Sequence, residues 1–227
     1  MSKNHFKLTP SDFAFLWEEC KRCFYLKVVC GFQRPFGAFP KIFTIIDGQM
    51  KNYYLGMRTE EISPALPNGV VRYSEKGVES KPIYSSNSSS SCFIKGKFDT
   101  VLQFDDGTYG VIDFKTAEAK SEHVPLYARQ LHSYAHCLEN PAPGKFSLTP
   151  ISKLGLLVYE PQEYGCLSSD RVALHGSITW INIPRNDDGF IAFLEEVFEV
   201  LNMPEPPAGS PTCVWCQYRD SSRRTGL

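Results

Sequence analysis

Between Gly96 and Thr116 the chain reads GKFDTVLQFDDGTYGVIDFKT, and Asp99, Asp113 and Lys115 stand inside otherwise apolar, strand-like runs. Asp113 and Lys115 are two apart, so on a strand both project from one face while Phe114 points the other way, into a core. Two carboxylates held close together repel unless a cation neutralises them. An all-oxygen pair of that kind suits Mg²⁺ or Mn²⁺. An amine alongside can stabilise phosphate charge or orient an attacking water. Acid, acid and lysine together therefore point to metal-assisted hydrolysis of a phosphodiester bond. The hairpin register must set Asp99 beside Asp113, because a slip of one residue sends it to the opposite face. Taken alone, Asp-x-Lys also describes an ordinary salt bridge between strand residues.

A second constellation is soft rather than hard. Cys20-Lys21-Arg22-Cys23 lies near one end of the sequence and Cys213-Val214-Trp215-Cys216 near the other. Four thiolates suffice for a closed tetrahedral Zn²⁺ site or a [4Fe–4S] cluster. Such a site would clamp the two ends together and be structural. The first pair falls in a predicted helix, where free cysteines also pack as small apolar residues, so zinc, a cluster and no metal all stay open. Cys30, Cys92, Cys137 and Cys166 have no partner pattern. Arg219, Arg223 and Arg224, interleaved with Trp215 and Tyr218, are candidates for phosphate contact and base stacking, as is Lys97 ahead of the first acid. In a chain of net charge −1, a solvated basic terminus explains the arginines better.

Helices and strands must position these groups. LTPSDFAFLWEECKRCFYLKVV carries start signals at Thr9, Pro10 and Asp12, and Phe13, Leu16, Trp17, Cys20 and Phe24 fall on one helical face. KIFTIIDGQMKNYYLGM predicts a second helix, and GVVRYSEKGVESKPIY one or two short strands. The serine tract from Ser85 to Ser91 predicts a mobile surface loop. Asp106-Gly107 is a hairpin turn signal between the two charged strands. SEHVPLYARQLHSYAHCLEN predicts a helix, ISKLGLLVYEP and LHGSITWINIP two strands separated by a polar loop, and DDGFIAFLEEVFEVLN an amphipathic helix. The order predicts a mixed α/β domain with its sheet between helices. Residues 1–227 read as one domain, with a core at about 92–202 and the N-terminal helices 9–57 and Cys tail 203–227 packed around it.

The formal net charge of −1 excludes a globally basic surface, so any grip on nucleic acid must be local. No run is long and apolar enough to span a bilayer, the start lacks a secretory h-region, and eight cysteines without such a signal read as reduced thiols or metal ligands. These features predict a soluble, cytoplasmic protein with no membrane partner.

The charged hairpin and the following helix resemble the RecB-like branch of the PD-(D/E)XK nuclease superfamily. The matching residues are Gly96-Lys97-Phe98-Asp99, then Asp113-Phe114-Lys115, then Gln130-Leu131-His132-Ser133-Tyr134, in the family's order and on the expected elements. The resemblance implies a restriction-endonuclease-like fold, with a central mixed β-sheet flanked by helices. It implies a nuclease cutting DNA, with Asp99, Asp113 and the Phe114 carbonyl on a catalytic Mg²⁺ or Mn²⁺. Lys115 would position water and phosphate, and Gln130 and Tyr134 would line the site from one helical face. Relatives often add a His or Glu from an early helix. Here the helix offers Asp47 or Gln49 and the following loop Glu60 or Glu61, none in the usual pattern; Asp47 is the substitute ligand, or a thinner metal shell leaves a nucleic-acid-binding or complex-assembly module. Repair, recombination and defence assemblies are the implied settings. Relatives that carry an iron–sulfur cluster place one cysteine before the core and three after it, whereas this chain places two and two.

Overall fold

The computed structural model describes residues 4–35, 37–118 and 124–225. The chain opens with strand β1 (His5–Leu8), a π-helical turn (Asp12–Leu16), α1 (Trp17–Glu19), α2 (Lys21–Cys30), α3 (Lys41–Tyr54) and α4 (Thr59–Ile62). Strands β2 (Gly69–Ser74), β3 (Gly77–Glu79), β4 (Ile83–Tyr84), β5 (Ser91–Lys97), β6 (Thr100–Phe104) and β7 (Tyr109–Thr116) follow. Then come α5 (Val124–Glu139), β8 (Ile151–Ser168), β9 (Arg171–Ile183), α6 (Asp187–Leu201) and α7 (Val214–Arg224).

The larger sheet has the order β2-β6-β7-β8-β9, and the smaller one runs β1-β5-β3 with β4 also paired to β5. Only β7 and β8 pair in parallel within the larger sheet, and α5 makes the crossover that this requires. Alternation along β7 divides its side chains between two cores. Val111 joins Leu131, Leu154 and Val197 on the α5–α6 side, whereas Ile112 and Phe114 join Met50, Leu102 and Leu157 on the α3 side. Helices thus cover both faces of a mixed sheet, as the sequence pattern predicts.

Several elements depart from the sequence reading. The first helix is not continuous: Cys20 adopts an extended backbone (φ −166°, ψ 105°) and restarts the chain as α2. Thr9 does not cap a backbone amide with its hydroxyl but donates it to the Asp12 carboxylate at 2.6 Å. The serine tract is tied down: Glu195 of α6 accepts from the Ser85 hydroxyl and the Ser86 amide, and Ser90 donates to Asn202. The polar segment expected as a loop after Pro161 is itself paired strand, so β8 and β9 extend as one long ribbon. The Cys tail, given no element by the sequence pattern, ends as helix α7. The predicted start of the central helix, residues 121–123, lies outside the described residues.

Candidate functional site

Asp99 lies at the corner between β5 and β6, not within a strand. The register pairs Thr100 with Ile112, so the residue before Thr100 meets the residue after Ile112. Asp99 Oδ2 accepts the Phe114 backbone N–H at 3.1 Å, which fixes its carboxylate at the base of Asp113-Phe114-Lys115. Gly96 makes the approach to this corner possible. A Cβ there would come within 2.8 Å of the Pro10 ring and 3.2 Å of Tyr134.

Asp113 is 2% exposed and forms an ion pair with Lys115. Gln130, one turn along α5 from Tyr134, donates its amide to Asp113 Oδ1 at 3.3 Å and to the Tyr134 hydroxyl at 3.5 Å. Its carbonyl Oε1 is buried and accepts nothing. Burial drives the Asp113 carboxyl up to about 7; Lys115 pulls it down, and Asp99 pushes it further up. Lys115 loses to burial, but Asp113 and then Asp99 outweigh that loss and hold its ammonium above the ordinary lysine value. Tyr134 is likewise raised, chiefly by burial. Asp99, Asp113, Lys115, Gln130 and the Phe114 backbone therefore meet in one cleft of about 470 Å³.

Asp47 also lines this cleft, yet its carboxylate is held by Lys51 at 2.7 Å. Lys51 is buried, reaches Asp99 Oδ1 at 2.8 Å, and extends to Glu75 at 3.3 Å. Burial works against its charge, but Asp47 and Asp99 overcome this and raise its pKa. Glu75 sits in the left-handed region (φ 52°) and gives its backbone N–H to the Asp99 carbonyl at 2.9 Å. That conformation is costly for a residue with a Cβ, so the contacts to Asp99 and Lys51 offset local strain. Sequence reasoning missed Lys51 and Glu75. One signal was present: a lysine four residues after Asp47, the spacing of an ion pair on one helical face.

The donor set suits a hard divalent cation. Two carboxylates converge at the Phe114 junction, and the Gln130 side chain beside them turns its nitrogen to Asp113 and leaves its buried amide oxygen without a partner. The lysines now neutralise those acids.

The four cysteines of the two pairs converge on the opposite principle. Their sulfurs all lie within 4.8 Å of one another and are buried. Cys20–Cys216 and Cys23–Cys216 are 3.6 Å apart, and Cys23–Cys213 is 3.7 Å. The break at Cys20 explains the arrangement. Cys20 takes the position before the first turn of α2 and Cys23 the third residue within it; Cys213 and Cys216 hold the same two positions on α7. Two helix N-termini therefore aim their partial positive charge at four thiols. Burial pushes the Cys20 thiol up, but the Ser210 and Cys23 backbone amides and neighbouring thiols bring it down to about 7.

Of the basic residues expected at nucleic acid, Arg219 turns inward, donating to Cys216 Sγ at 3.4 Å. Arg34 does the same to Cys213 at 3.2 Å. Lys97 is ion-paired to Glu75 at 3.0 Å, while Arg223 and Arg224 are exposed on the last turn of α7. No helix among the described residues is long and apolar enough to cross a membrane.

No curated protein sequence matches the chain. The solved structure titled "Crystal structure of SSO0001" is similar at 16% identity and a TM-score of 0.46, over 90% of this chain and 80% of that one. The family model for the PD-(D/E)XK nuclease superfamily matches residues 52–221, a span that holds Asp99, Asp113, Lys115, Gln130 and Tyr134 but not Asp47. On that match across most of its length, the chain belongs to the PD-(D/E)XK nuclease superfamily.

Proposed function

We propose that the protein is a divalent-metal-dependent nuclease of the RecB-like kind that hydrolyses DNA phosphodiester bonds in the cleft at Asp99, Asp113 and Lys115. The observation that carries this reading is the junction at Phe114. Asp99 accepts from its N–H, Asp113 precedes it, and Lys115 follows it on the same face as Asp113. Asp99, Asp113 and the Phe114 carbonyl would hold Mg²⁺ or Mn²⁺, with Asp47 as a further carboxylate lining the cleft. When bound, the cation supplies a water of lowered pKa and screens charge developing on phosphorus. Lys115, freed from Asp113, places an ammonium beside the non-bridging phosphate oxygens and the attacking water. Gln130 holds Asp113 in orientation, and Tyr134 backs Gln130.

The four cysteines would hold a structural metal that joins the chain ends. Their spacing favours a single Zn²⁺. A tetrahedron with arms of about 2.3 Å has edges of about 3.8 Å, close to the observed separations. In a four-iron cubane each thiolate sits on its own iron, so the sulfurs stand farther apart. The reading places the protein in the cytoplasm, where thiols stay reduced, working on DNA alone or within a repair, recombination or defence assembly.

One observation favours a second reading, a non-cutting nucleic-acid-binding or assembly module: Lys51 already bridges Asp47 and Asp99. Incubation of labelled single- and double-stranded DNA with Mn²⁺ or chelator separates the two. Mn²⁺-dependent cutting lost in Asp113→Ala and in Lys115→Ala supports the nuclease. Binding without cutting by the wild-type protein supports the module.

A further inference from the structure

We infer that the free edge of β9 pairs with β9 of a second copy, antiparallel about a two-fold axis, so that two five-stranded sheets join into one. β9 closes the larger sheet and runs 13 residues, Arg171–Ile183, with β8 on one side only. From Val172 to Ile183 it carries no Lys, Arg, Asp, Glu or Pro. Charges and proline are what ordinarily keep an exposed edge from pairing with another chain. The opposite edge of the same sheet is protected. β2 has six residues, includes Arg72 and breaks register between Val71 and Tyr73. Its outer backbone is also occupied: Val71 donates to the Met57 carbonyl at 3.0 Å and accepts from the Gly56 N–H at 2.9 Å. Among the described residues, the β9 backbone makes one bond besides its ladder with β8: the Leu174 carbonyl accepts from the Tyr159 hydroxyl at 2.7 Å.

The side chains identify the occupant as a second copy. Trp180 and Tyr159 pack on the α3-side core, and alternation puts Ile178, Gly176, Leu174 and Val172 of β9 on that same face. Beyond Trp180 the face is open: Val172 is 53% exposed, Leu174 46% and Ile178 42%. A two-stranded ribbon is only marginally stable in water by itself. Two-fold pairing centred on Gly176 sets Leu174 against the partner's Ile178, and Val172 against the partner's Trp180. On the other face it sets His175 against the partner's Ser177, and Ala173 against the partner's Thr179. Apolar residues thus meet apolar ones, and no like charges stand opposite each other. A nucleic acid would find no Lys or Arg between Val172 and Ile183, and at a formal net charge of −1 two copies repel little. At about 3.3 Å per residue and about 10 Å of sheet depth, the edge covers about 400 Å² per copy. That is less than a standard interface, so the dimer is reversible, with Kd on the order of 10 µM.

Sedimentation velocity of the full chain from about 1 to about 300 µM tests this, with reductant present because Cys30 and Cys166 are exposed. Wild type should pass from monomer to dimer across that range. Leu174→Lys with Ile178→Lys sets lysine against lysine at two places and should weaken the dimer at least about tenfold. Leu174→Lys with Ile178→Glu sets lysine against glutamate at the same places and should bind at least about fivefold more tightly than the double lysine variant. Tyr84→Lys with Ile191→Lys, at exposed apolar positions outside β9, should stay within about twofold of wild type. A chain that remains monomeric at the highest concentration overturns the inference. A dimer that the double lysine change leaves intact, or that the Tyr84 and Ile191 changes weaken as much, lies elsewhere and overturns it too. A Lys/Glu variant no tighter than the double lysine variant rules out the two-fold register. Growth past dimer, or association only when DNA is added, contradicts a closed pairing between copies.

Discussion

The cleft and the cysteine cluster both bring like-charged groups together from distant parts of the chain, yet they differ in how that charge is met. In the cleft, Asp47, Asp99 and Asp113 face lysines supplied by the protein itself, and the space beside them is open. In the cluster, four buried thiols face two helix N-termini, with Arg34 and Arg219 on the rim. A cleft whose acids can exchange a lysine for a metal suits a cation that works and leaves. A closed set of thiolates suits one that stays, which is the usual division between catalytic and structural sites.

The largest expected effect separates the two regions by stability. Cys216→Ser, or prolonged chelation, should lower Tm by about 10 °C or more, since each kcal/mol moves a domain of this size by about 2–4 °C and a structural zinc contributes several. Calorimetry with zinc analysis checks it. An unchanged Tm in a metal-loaded protein would remove the clamp.

Asp113→Asn should do the opposite, lowering cutting by about a thousandfold, roughly 4 kcal/mol of transition-state stabilisation, without a comparable loss in Tm. Its pH dependence sharpens the contrast. Burial raises the Asp113 carboxyl to about 7, well above an unfolded carboxylate, so the folded chain binds the extra proton. The group's contribution is therefore complete below about pH 4 and is lost as pH rises through about 7. Denaturant melts of metal-free wild type should show that decline, of a few kcal/mol, and Asp113→Asn should lack it.

Lys51→Ala should cost about 3 kcal/mol, because it leaves Asp47 and Asp99 without their buried cation, and millimolar Mn²⁺ should restore part of the loss. Failure of Mn²⁺ to restore any stability would mean that the acids are built for the lysine alone. The smallest effect belongs to the rim of the cluster. Arg219→Gln should speed zinc release to a chromogenic chelator by about tenfold, as loss of a supporting hydrogen bond to a metal ligand usually does, with Arg219→Lys intermediate.

Legibility in the sequence followed the range of the interactions. Asp113, Phe114 and Lys115 could be assigned to faces from alternation alone, and Gln130 and Tyr134 from helical spacing, because those periods are local. The pairing of Asp99 was left open, because a turn signal at Asp106-Gly107 does not fix the register to one residue; the structure sets it opposite Asp113, at a corner and not in a strand. Lys51 and Glu75 were invisible as a pair: they meet only because α3 lies over the turn after β2. The helix break at Cys20 was hidden for a related reason. Residues 10–24 keep a helical apolar face on either side of it, and the sulfurs that reward the break come from α7, nearly the whole chain away. The β8–β9 ribbon reads as loop because its outer half is exposed on both faces, polar residues mixed with Tyr164, Leu167, Val172 and Leu174, so no buried face imposes alternation and backbone pairing holds it together.

The most direct test of the central claim is anomalous scattering from crystals soaked in Mn²⁺. The account predicts a peak coordinated by carboxylate oxygens of both Asp99 and Asp113, with Lys115 released from Asp113 and the amide oxygen of Gln130 turned toward the site. A saturated crystal in which those two carboxylates keep their lysines, with Mn²⁺ bound only elsewhere, would contradict it.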